Sequence, residues 1–331
     1  MAFPSAPAFP PPIFKDRKAG LVAFGILTVL MGVICALFVP LMILGQSMAA
    51  KSGVGQSTQT MVPALMTYGL LAVALVWLGI GSMKARRWAR ALLLIFSWSW
   101  LIIGVITVGA LAAMFPQITS AAQTGAGPGQ PEVSASASSA IMTITILMFS
   151  VIFIILPGLW VFFYGSKHVK ATCEANDPIE RWTDRCPLPV LAICIWLAFS
   201  VPTMLMMAIA YRGVVPVFGT FVAGPVGSAL YVVFAAIWAY SAWALYKLDR
   251  RGWLIIVVFI VLFSISGFMT YSHHNVSELY ALMGYPPEQI ALMQKYSFLN
   301  GQAMAWLTLG CAIPFLGYLL YIRKFFPKLT E

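Results

Sequence analysis

The stretch HVKATCEANDPIERWTDRCPLP, residues 168–189, brings together side-chain types that could bind a metal ion. Its candidate ligands are His168, Cys173, Glu174, Asp177 and Cys186. Structural zinc sites usually contain closely spaced cysteine pairs such as C-x2-C, but here twelve residues separate the two cysteines. A cytoplasmic location would also keep both thiols reduced, which argues against a disulfide. We therefore predict a polar linker at the lipid headgroups and no metal site.

The other candidates for chemistry are scattered along the chain. His273 and His274 are adjacent, with Tyr271 and Glu278 nearby, but neighbouring helical residues point in different directions and do not form a ligand pair by themselves. Three cysteines lie inside apolar runs: Cys35, Cys194 and Cys311. The chain contains no G-x-S-x-G, no H-E-x-x-H and no phosphate-binding glycine loop followed by lysine. We predict no catalytic, cofactor-binding or metal-binding residues and expect that the protein is not an enzyme.

The elements that surround these residues are long apolar runs. The 331 residues are 61% hydrophobic and only 9% charged, and a helix needs about 20 apolar residues to cross a bilayer. Eight runs qualify: about 20–45, 61–83, 91–114, 140–166, 188–211, 219–246, 252–271 and 301–322. The first is too long for a signal-peptide core, so we favour an uncleaved anchor, with cleavage near SMAAK at 47–51 as the alternative. The composition predicts an all-α integral membrane protein with eight transmembrane helices.

None of the eight runs contains Asp, Glu, Lys, Arg or His. Ionisable residues inside a membrane cost at least ~2.5 kcal/mol each and mark proton relays and ion paths. Their absence argues against proton-coupled transport, haem ligation by histidine and a carboxylate metal centre. It leaves open a sodium site built from carbonyls and hydroxyls, or a channel lined by uncharged polar groups.

The net charge of +10 is explained by membrane topology. With both termini in the cytoplasm, seventeen of the twenty Lys and Arg residues fall in cytoplasmic segments, and only Lys51, Arg212 and Lys295 fall outside. This asymmetry is what the positive-inside rule predicts. We therefore expect membrane lipids as partners, possible contacts with other membrane proteins and no nucleic acid. We expect a bacterial inner (plasma) membrane location. R-R-W motifs at the start of a span are common in bacterial multi-pass proteins of unknown role and identify none of them.

Three sequence motifs recur in the same order, which predicts an internal duplication. FVPLM is repeated as SVPTM, KARRWAR as KLDRRGW, and LPGLWVFFYGSK as IPFLGYLLYIRK. Each half has an even number of spans, so the two four-helix repeats are parallel. The predicted segments are a Pro-rich, basic cytoplasmic tail over 1–19, a first half over 20–167, a linker over 168–187, a second half over 188–325 and a cytoplasmic tail over 326–331.

The segment 272–300 predicts a short outer helical hairpin between spans seven and eight. Ser277 is the expected cap of its first helix, Gly284 its end, and Pro287 the first turn of a second helix. A hairpin that rests in the membrane interface is the simpler interpretation, and a lid over a cavity is the alternative.

These observations favour a scaffold, assembly factor or accessory subunit of a membrane complex. The alternative is a permease for an uncharged or lipid-like solute, with a cavity between the two halves. Tyr231 and Tyr240 are its possible pocket walls, and Pro40 and Pro202 are paired helix kinks that could frame it. An enzyme that uses the polar segment 168–187 is a third alternative.

Overall fold

Eight long apolar helices dominate the computed structural model, which describes residues 14–51, 58–116, 134–287, 290–291 and 300–326. Each is long and apolar enough to cross a bilayer. The spans are Lys18–Met48, Met61–Met83, Arg87–Ala113, Ser136–Gly165, Leu188–Ala210, Gly224–Tyr246, Arg250–His273 and Gly301–Phe325. All eight coincide with spans predicted from the sequence, so the prediction of a multi-pass, helical integral membrane protein is confirmed.

The chain divides into two compact units, of which the first comprises Met1–Leu30 and Leu75–Arg181. Within the described residues, this first unit contains the beginning of helix α1 and the end of helix α2, followed by the helices α3 to α6. The bounds are α1 Lys18–Lys51, α2 Thr58–Met83, α3 Arg87–Ala113, α4 Ala135–Ser150, α5 Leu156–Gly165 and α6 Lys167–Asn176. A π-helical turn, Val151–Ile155, joins α4 to α5 within one span.

Small residues and a buried hydroxyl pair hold α1, α2 and α5 together in the first unit. The helices α1 and α2 approach closely at Gly25 and Gly79, where a Cβ atom on Gly79 would lie 2.7 Å from the Gly25 carbonyl oxygen. Ser82 Oγ donates to the Leu21 carbonyl at 2.9 Å. The Tyr164 hydroxyl lies 2.7 Å from the same Ser82 oxygen and must be the donor, because the Ser82 proton is already used. Tyr164 is fully buried, so this chain of hydrogen bonds is shielded from water.

The π-helical turn places a backbone carbonyl against α3. Pro157 has no amide hydrogen to donate to the Phe153 carbonyl four residues earlier, which favours a local break in the α-helical pattern. The Phe153 carbonyl oxygen faces Gly104 of α3, where any Cβ atom would collide with it. The absence of a side chain at Gly104 is therefore what allows α3 to pack against this turn.

The second unit comprises Met31–Ala74 and Trp182–Glu331. Within the described residues it contains the remaining parts of α1 and α2, the helices α7 to α11 and the strands β1 and β2. The bounds are α7 Leu188–Ala210, β1 Val215–Val217, β2 Thr220–Val222, α8 Gly224–Tyr246, α9 Arg250–His273, α10 Val276–Met283 and α11 Gly301–Ile322. Two 3-10 turns, Trp182–Asp184 and Arg323–Phe325, flank α7 and α11.

The start of the sixth span differs from the prediction of a helix over 219–246. The strands β1 and β2 pair antiparallel, with Val215 opposite Val222, and α8 begins only at Gly224. The two turn residues, Phe218 and Gly219, have φ values of 38° and 96°, which is the type I′ pattern of tight hairpins. Pro at the first turn of α8 fixes the start of the helix. An apolar strand and an apolar helix look alike by hydropathy, which explains the error.

Helix α10 corrects the predicted cap at Ser277. The cap is Asn275, whose backbone amide donates to Glu278 Oε1 at 3.4 Å in a capping-box arrangement, and Ser277 lies inside the helix. The helix ends at Gly284, which adopts a left-handed conformation with a φ of 87°. Most of the predicted second helix falls outside the described residues, so the helical hairpin over 272–300 stays a prediction.

Candidate functional site

Four of the five candidate metal ligands lie at one end of the first unit. His168, Cys173 and Glu174 are on α6, and Asp177 directly follows it. Cys186 belongs to the second unit, where it is a free, buried cysteine. Across the described ranges, no group of three or more His, Cys, Asp and Glu side chains is arranged to hold a metal ion.

Asp177 is the centre of the strongest polar cluster in this region. Its side chain is only 1% exposed. Arg181 donates from Nη2 to Oδ1 at 2.7 Å and from Nε to Oδ2 at 3.1 Å. Arg86 Nη1 lies 3.4 Å from Oδ1, and the backbone amide of Arg87 donates to Oδ2 at 3.3 Å. One carboxylate therefore ties the segment after α6 to the beginning of α3.

These contacts determine the charge state of Asp177. The hydrogen bonds from Arg181 hold the pKa of the Asp177 carboxyl below its ordinary value, with further contributions from the Arg87 amide and the Arg86 charge. Burial acts in the opposite direction but is outweighed. Asp177 is thus a carboxylate at neutral pH that is occupied on both oxygens, which suits a structural tie and not an acid or base.

Helix α6 is docked onto the N-terminal segment by backbone hydrogen bonds. The amide of Arg17 donates to Thr172 Oγ1 at 3.1 Å, and that of Lys15 lies 3.4 Å from His168 Nδ1. The side chains of Thr172 and Cys173 are buried beneath the helix, and burial raises the pKa of the Cys173 thiol to about 11. Cys173 is therefore a neutral thiol at physiological pH, which makes it a poor nucleophile and a poor metal ligand.

The turn before α3 has a counterpart before α9. We call Lys84–Arg87 the first turn and Lys247–Arg250 the second turn. The left-handed residues are Ala85, with a φ of 48°, and Leu248, with a φ of 58°. In each case the next amide donates back five residues, Arg86 to the Gly81 carbonyl at 3.0 Å and Asp249 to the Ala244 carbonyl at 2.9 Å. Both turns are Schellman motifs at the positions that KARRWAR and KLDRRGW align.

A glycine and an alanine pack against each other next to each turn. The glycine comes first in the sequence at the first turn and second at the second turn. A Cβ atom on Gly81 would lie 2.7 Å from the Cβ of Ala89 in the first unit. In the second unit a Cβ atom on Gly252 would lie 2.5 Å from the Cβ of Ala244. At each turn one glycine and one alanine thus share a space too small for two methyl groups.

A second polar cluster lies at the opposite end of α9. Ser266 Oγ accepts from the Phe218 amide at 2.9 Å and donates to the Pro216 carbonyl at 3.0 Å, while Thr270 Oγ1 accepts from the Gly219 amide at 3.0 Å. His274 directly follows the last residue of α9 and lies four residues after Thr270. The tip of the strand hairpin is therefore held along one face of α9.

His274 joins this hairpin to α10. Its Nε2 lies 3.0 Å from the Gly219 carbonyl oxygen and its Nδ1 lies 2.7 Å from Glu278 Oε2. Both partners are oxygen atoms that accept hydrogen bonds, and they lie on the two sides of the ring. The hydrogen bond from His274 lowers the pKa of the Glu278 carboxyl. His273 takes no part, because its Nδ1 lies 2.8 Å from the Met269 carbonyl oxygen on its own helix.

The two tyrosines considered as pocket walls have different environments. The Tyr231 hydroxyl donates to the Val214 carbonyl at 3.0 Å, which ties α8 to the segment before β1. Tyr240 is 42% exposed and its ring centroid lies 6.1 Å from that of Trp243.

Three buried polar atoms in the second unit have no hydrogen-bond partner within the described part of the chain: Thr183 Oγ1, Trp238 Nε1 and Ser241 Oγ.

Sequence reasoning missed the clusters around Asp177 and His274 because their partners are far apart in sequence. Arg86 and Asp177 are separated by 91 residues, and Gly219 and His274 by 55. Only the local parts had a signal, namely the NDP turn at 176–178 and the N-x-x-E spacing of Asn275 and Glu278. Chemically, both clusters join backbone segments and use their acidic groups as acceptors.

The chain matches no protein-family model, no curated protein sequence and no solved structure.

Proposed function

We propose that the protein is a scaffold, assembly factor or accessory subunit of a membrane complex, and not an enzyme. The observation that carries this proposal is the use of its polar clusters. Asp177, His274 and the Ser82–Tyr164 pair are each occupied by hydrogen bonds that fix backbone segments to one another. A catalytic acid, base or nucleophile needs an atom that is free to contact a substrate. The polar atoms of these groups are already hydrogen-bonded within the fold.

The proposed architecture is two parallel four-helix repeats, over 20–167 and 188–325, joined by the linker 168–187. The matching Schellman turns support it, as do the exchanged Gly–Ala pairs beside them. A third correspondence is Gly104 against Phe153 in the first unit and Gly267 against Thr308 in the second, each a glycine of the third helix of its repeat against the fourth. Agreement at three places favours duplication over chance.

The proposed orientation places both termini in the cytoplasm of a bacterial inner membrane. It rests on the excess of Lys and Arg in the segments around both turns and at the two ends of the chain. A fluorescent protein fused after Glu331 should fluoresce and alkaline phosphatase fused there should be inactive. The reverse pattern would overturn the orientation without affecting the proposed architecture.

The proposed partners are membrane lipids and other membrane proteins, with no role for nucleic acid. The test is native mass spectrometry of the full-length protein extracted from its own membrane into lipid nanodiscs. Another polypeptide at a fixed stoichiometry, absent from an unrelated multi-pass protein extracted in parallel, is the expected result. A monomer or homo-oligomer that retains one defined uncharged solute would contradict the scaffold and support the alternative of a permease.

A further inference from the structure

We propose that one end of the first unit binds the headgroup of an anionic phospholipid. This end, which we call the basic end, is formed by the segment Lys15–Lys18, the first turn and α6. The inference deepens the proposal that membrane lipids are partners of this protein, and rests on it. It requires neither the scaffold function nor the cytoplasmic orientation.

The packing of α1 on α5 brings basic residues from distant parts of the sequence to this end. The ring of Phe24 stacks on that of Phe163 with centroids 4.2 Å apart, close to the ends of both helices. The Arg17 amide donates to Thr172, which holds the N-terminal segment along α6. The two neighbouring segments carry five exposed basic side chains: Lys15, Arg17, Lys18, Lys167 and Lys170.

The acidic groups nearby leave a positive surplus. Asp177 is occupied by Arg181 and Arg86. Glu174 lies 3.7 Å from Arg87 Nη2 and 3.8 Å from Lys170 Nζ. The exposed Asp16 accepts from the Lys18 amide at 2.9 Å, which directs it to the helix start.

Within the described residues, Lys18 and Lys167 form no salt bridge with a carboxylate. Their ammonium groups are therefore available to an external anion. Lys18 is on α1 and Lys167 on α6, so the two charges are carried by different helices.

Exposed apolar side chains lie on the two helices that lead to the basic end, and they distinguish a lipid from a soluble phosphate. On α5, Phe162 is 85% exposed and Leu159 is 53% exposed. Phe162 precedes Lys167, the first residue of α6, by five residues. On α1, Ile26 is 47% exposed. A phosphate diester at the basic residues would thus have acyl chains running along exposed apolar side chains, an arrangement that a free phosphate cannot use.

The test measures retention of phosphatidylglycerol and of acyl-matched phosphatidylcholine by the purified full-length protein in native mass spectrometry. Wild type should retain phosphatidylglycerol preferentially, and Lys18→Gln/Lys167→Gln should weaken its binding about 30-fold. Lys247→Gln/Arg251→Gln removes the same charge at the other unit and should leave this binding unchanged. Lys18→Arg/Lys167→Arg keeps the charge and should bind as wild type, which separates loss of charge from loss of folding.

Two further arms identify the source of the phosphate group. Phe162→Ala should weaken phosphatidylglycerol retention, and 10 mM inorganic phosphate should not displace the lipid. Displacement by inorganic phosphate, equal retention of the two lipids, or equal losses in both double Gln variants would each overturn the proposal. None of these readouts depends on a protein partner, so the scaffold proposal can fail or succeed separately.

Discussion

The first and second turns share a backbone conformation but obtain their acidic cap from different places. In the second turn Asp249 caps α9 locally, accepting from the Arg251 amide at 2.9 Å. The corresponding residue of the first turn is Arg86, which makes no side-chain cap. The carboxylate that reaches the start of α3 belongs instead to Asp177, 90 residues away. The same requirement for an acceptor at a helix start is met within the turn in one unit and by a distant segment in the other.

This difference separates local from long-range stabilisation. The second turn depends only on its own sequence, because its cap and its turn residues lie within a few positions. The first turn depends on the position of the segment that follows α6. Helix α6 in turn is docked on the N-terminal segment. Asp177, which lies outside the first turn, therefore couples that turn to α6 and to the N-terminal segment. A local cap would leave these three parts independent.

The largest expected effect follows from removing the distant carboxylate. Asp177→Asn should destabilise the protein by about 3 kcal/mol, near the lower end for a broken buried ion pair because Arg86 and Arg181 are 40% and 32% exposed. Thermal unfolding in detergent, followed by tryptophan fluorescence, measures the change. A melting temperature equal to that of wild type would show that the first turn does not need Asp177.

A methyl group at Gly252 should have the next largest effect. Gly252→Ala places a Cβ 2.5 Å from the Cβ of Ala244, which we expect to cost about 2 kcal/mol by overpacking. The double variant Gly252→Ala/Ala244→Gly reproduces the order found at Gly81 and Ala89 and should recover most of the loss. Simple additivity of the two single changes in the same unfolding assay would refute the correspondence between the turns.

Removing the local cap should have a smaller effect. Asp249→Ala should cost about 1 kcal/mol, the usual value for a helix N-cap, and Asp249→Asn should cost little because asparagine caps equally well. Both variants belong in the assay used for Asp177→Asn. A loss for Asp249→Ala as large as for Asp177→Asn would remove the distinction between local and long-range caps.

The last prediction is a pH dependence of the contribution of Asp177, of which only a part is lost in the measurable acid range. Because folding lowers the pKa of Asp177, its contribution is complete above the unfolded value of about 3.9 and disappears as the pH falls through the folded value. The difference in melting temperature between wild type and Asp177→Asn should be constant from about pH 7 to 5 and should shrink below about pH 4. The difference for Gly252→Ala involves no titrating group and provides the control.

Sequence patterns predict the spans well because hydropathy over about 20 residues depends on the bilayer and not on the partner helices. The strand hairpin at Val215–Val222 escaped this reasoning, since its apolar residues merge with those of α8. The Gly-Pro pair at the start of α8 was the available signal for a later helix start.

The polar clusters were less predictable than the spans. Residues 168–177 fall within the predicted linker, and there the structure forms α6 over Lys167–Asn176 and buries Asp177. A buried carboxylate is recognised only when its cationic partners are known, and Arg86 is far away in sequence. The capping residue Asn275 is different, because its spacing from Glu278 is a local signal that points to the correct cap.

The strand hairpin can complete its hydrogen bonds only after α9 has been synthesised. The amides of Phe218 and Gly219 are made before Ser266 and Thr270, which accept them in the folded protein and follow them by 48 and 51 residues. At about 5–20 residues per second, roughly 2–10 s pass before those hydroxyls leave the ribosome. Until then the hairpin tip has only water or lipid headgroups as partners. Insertion of α9 is therefore the event that completes the hairpin, and the loop between α7 and α8 matures later than the two helices that it connects.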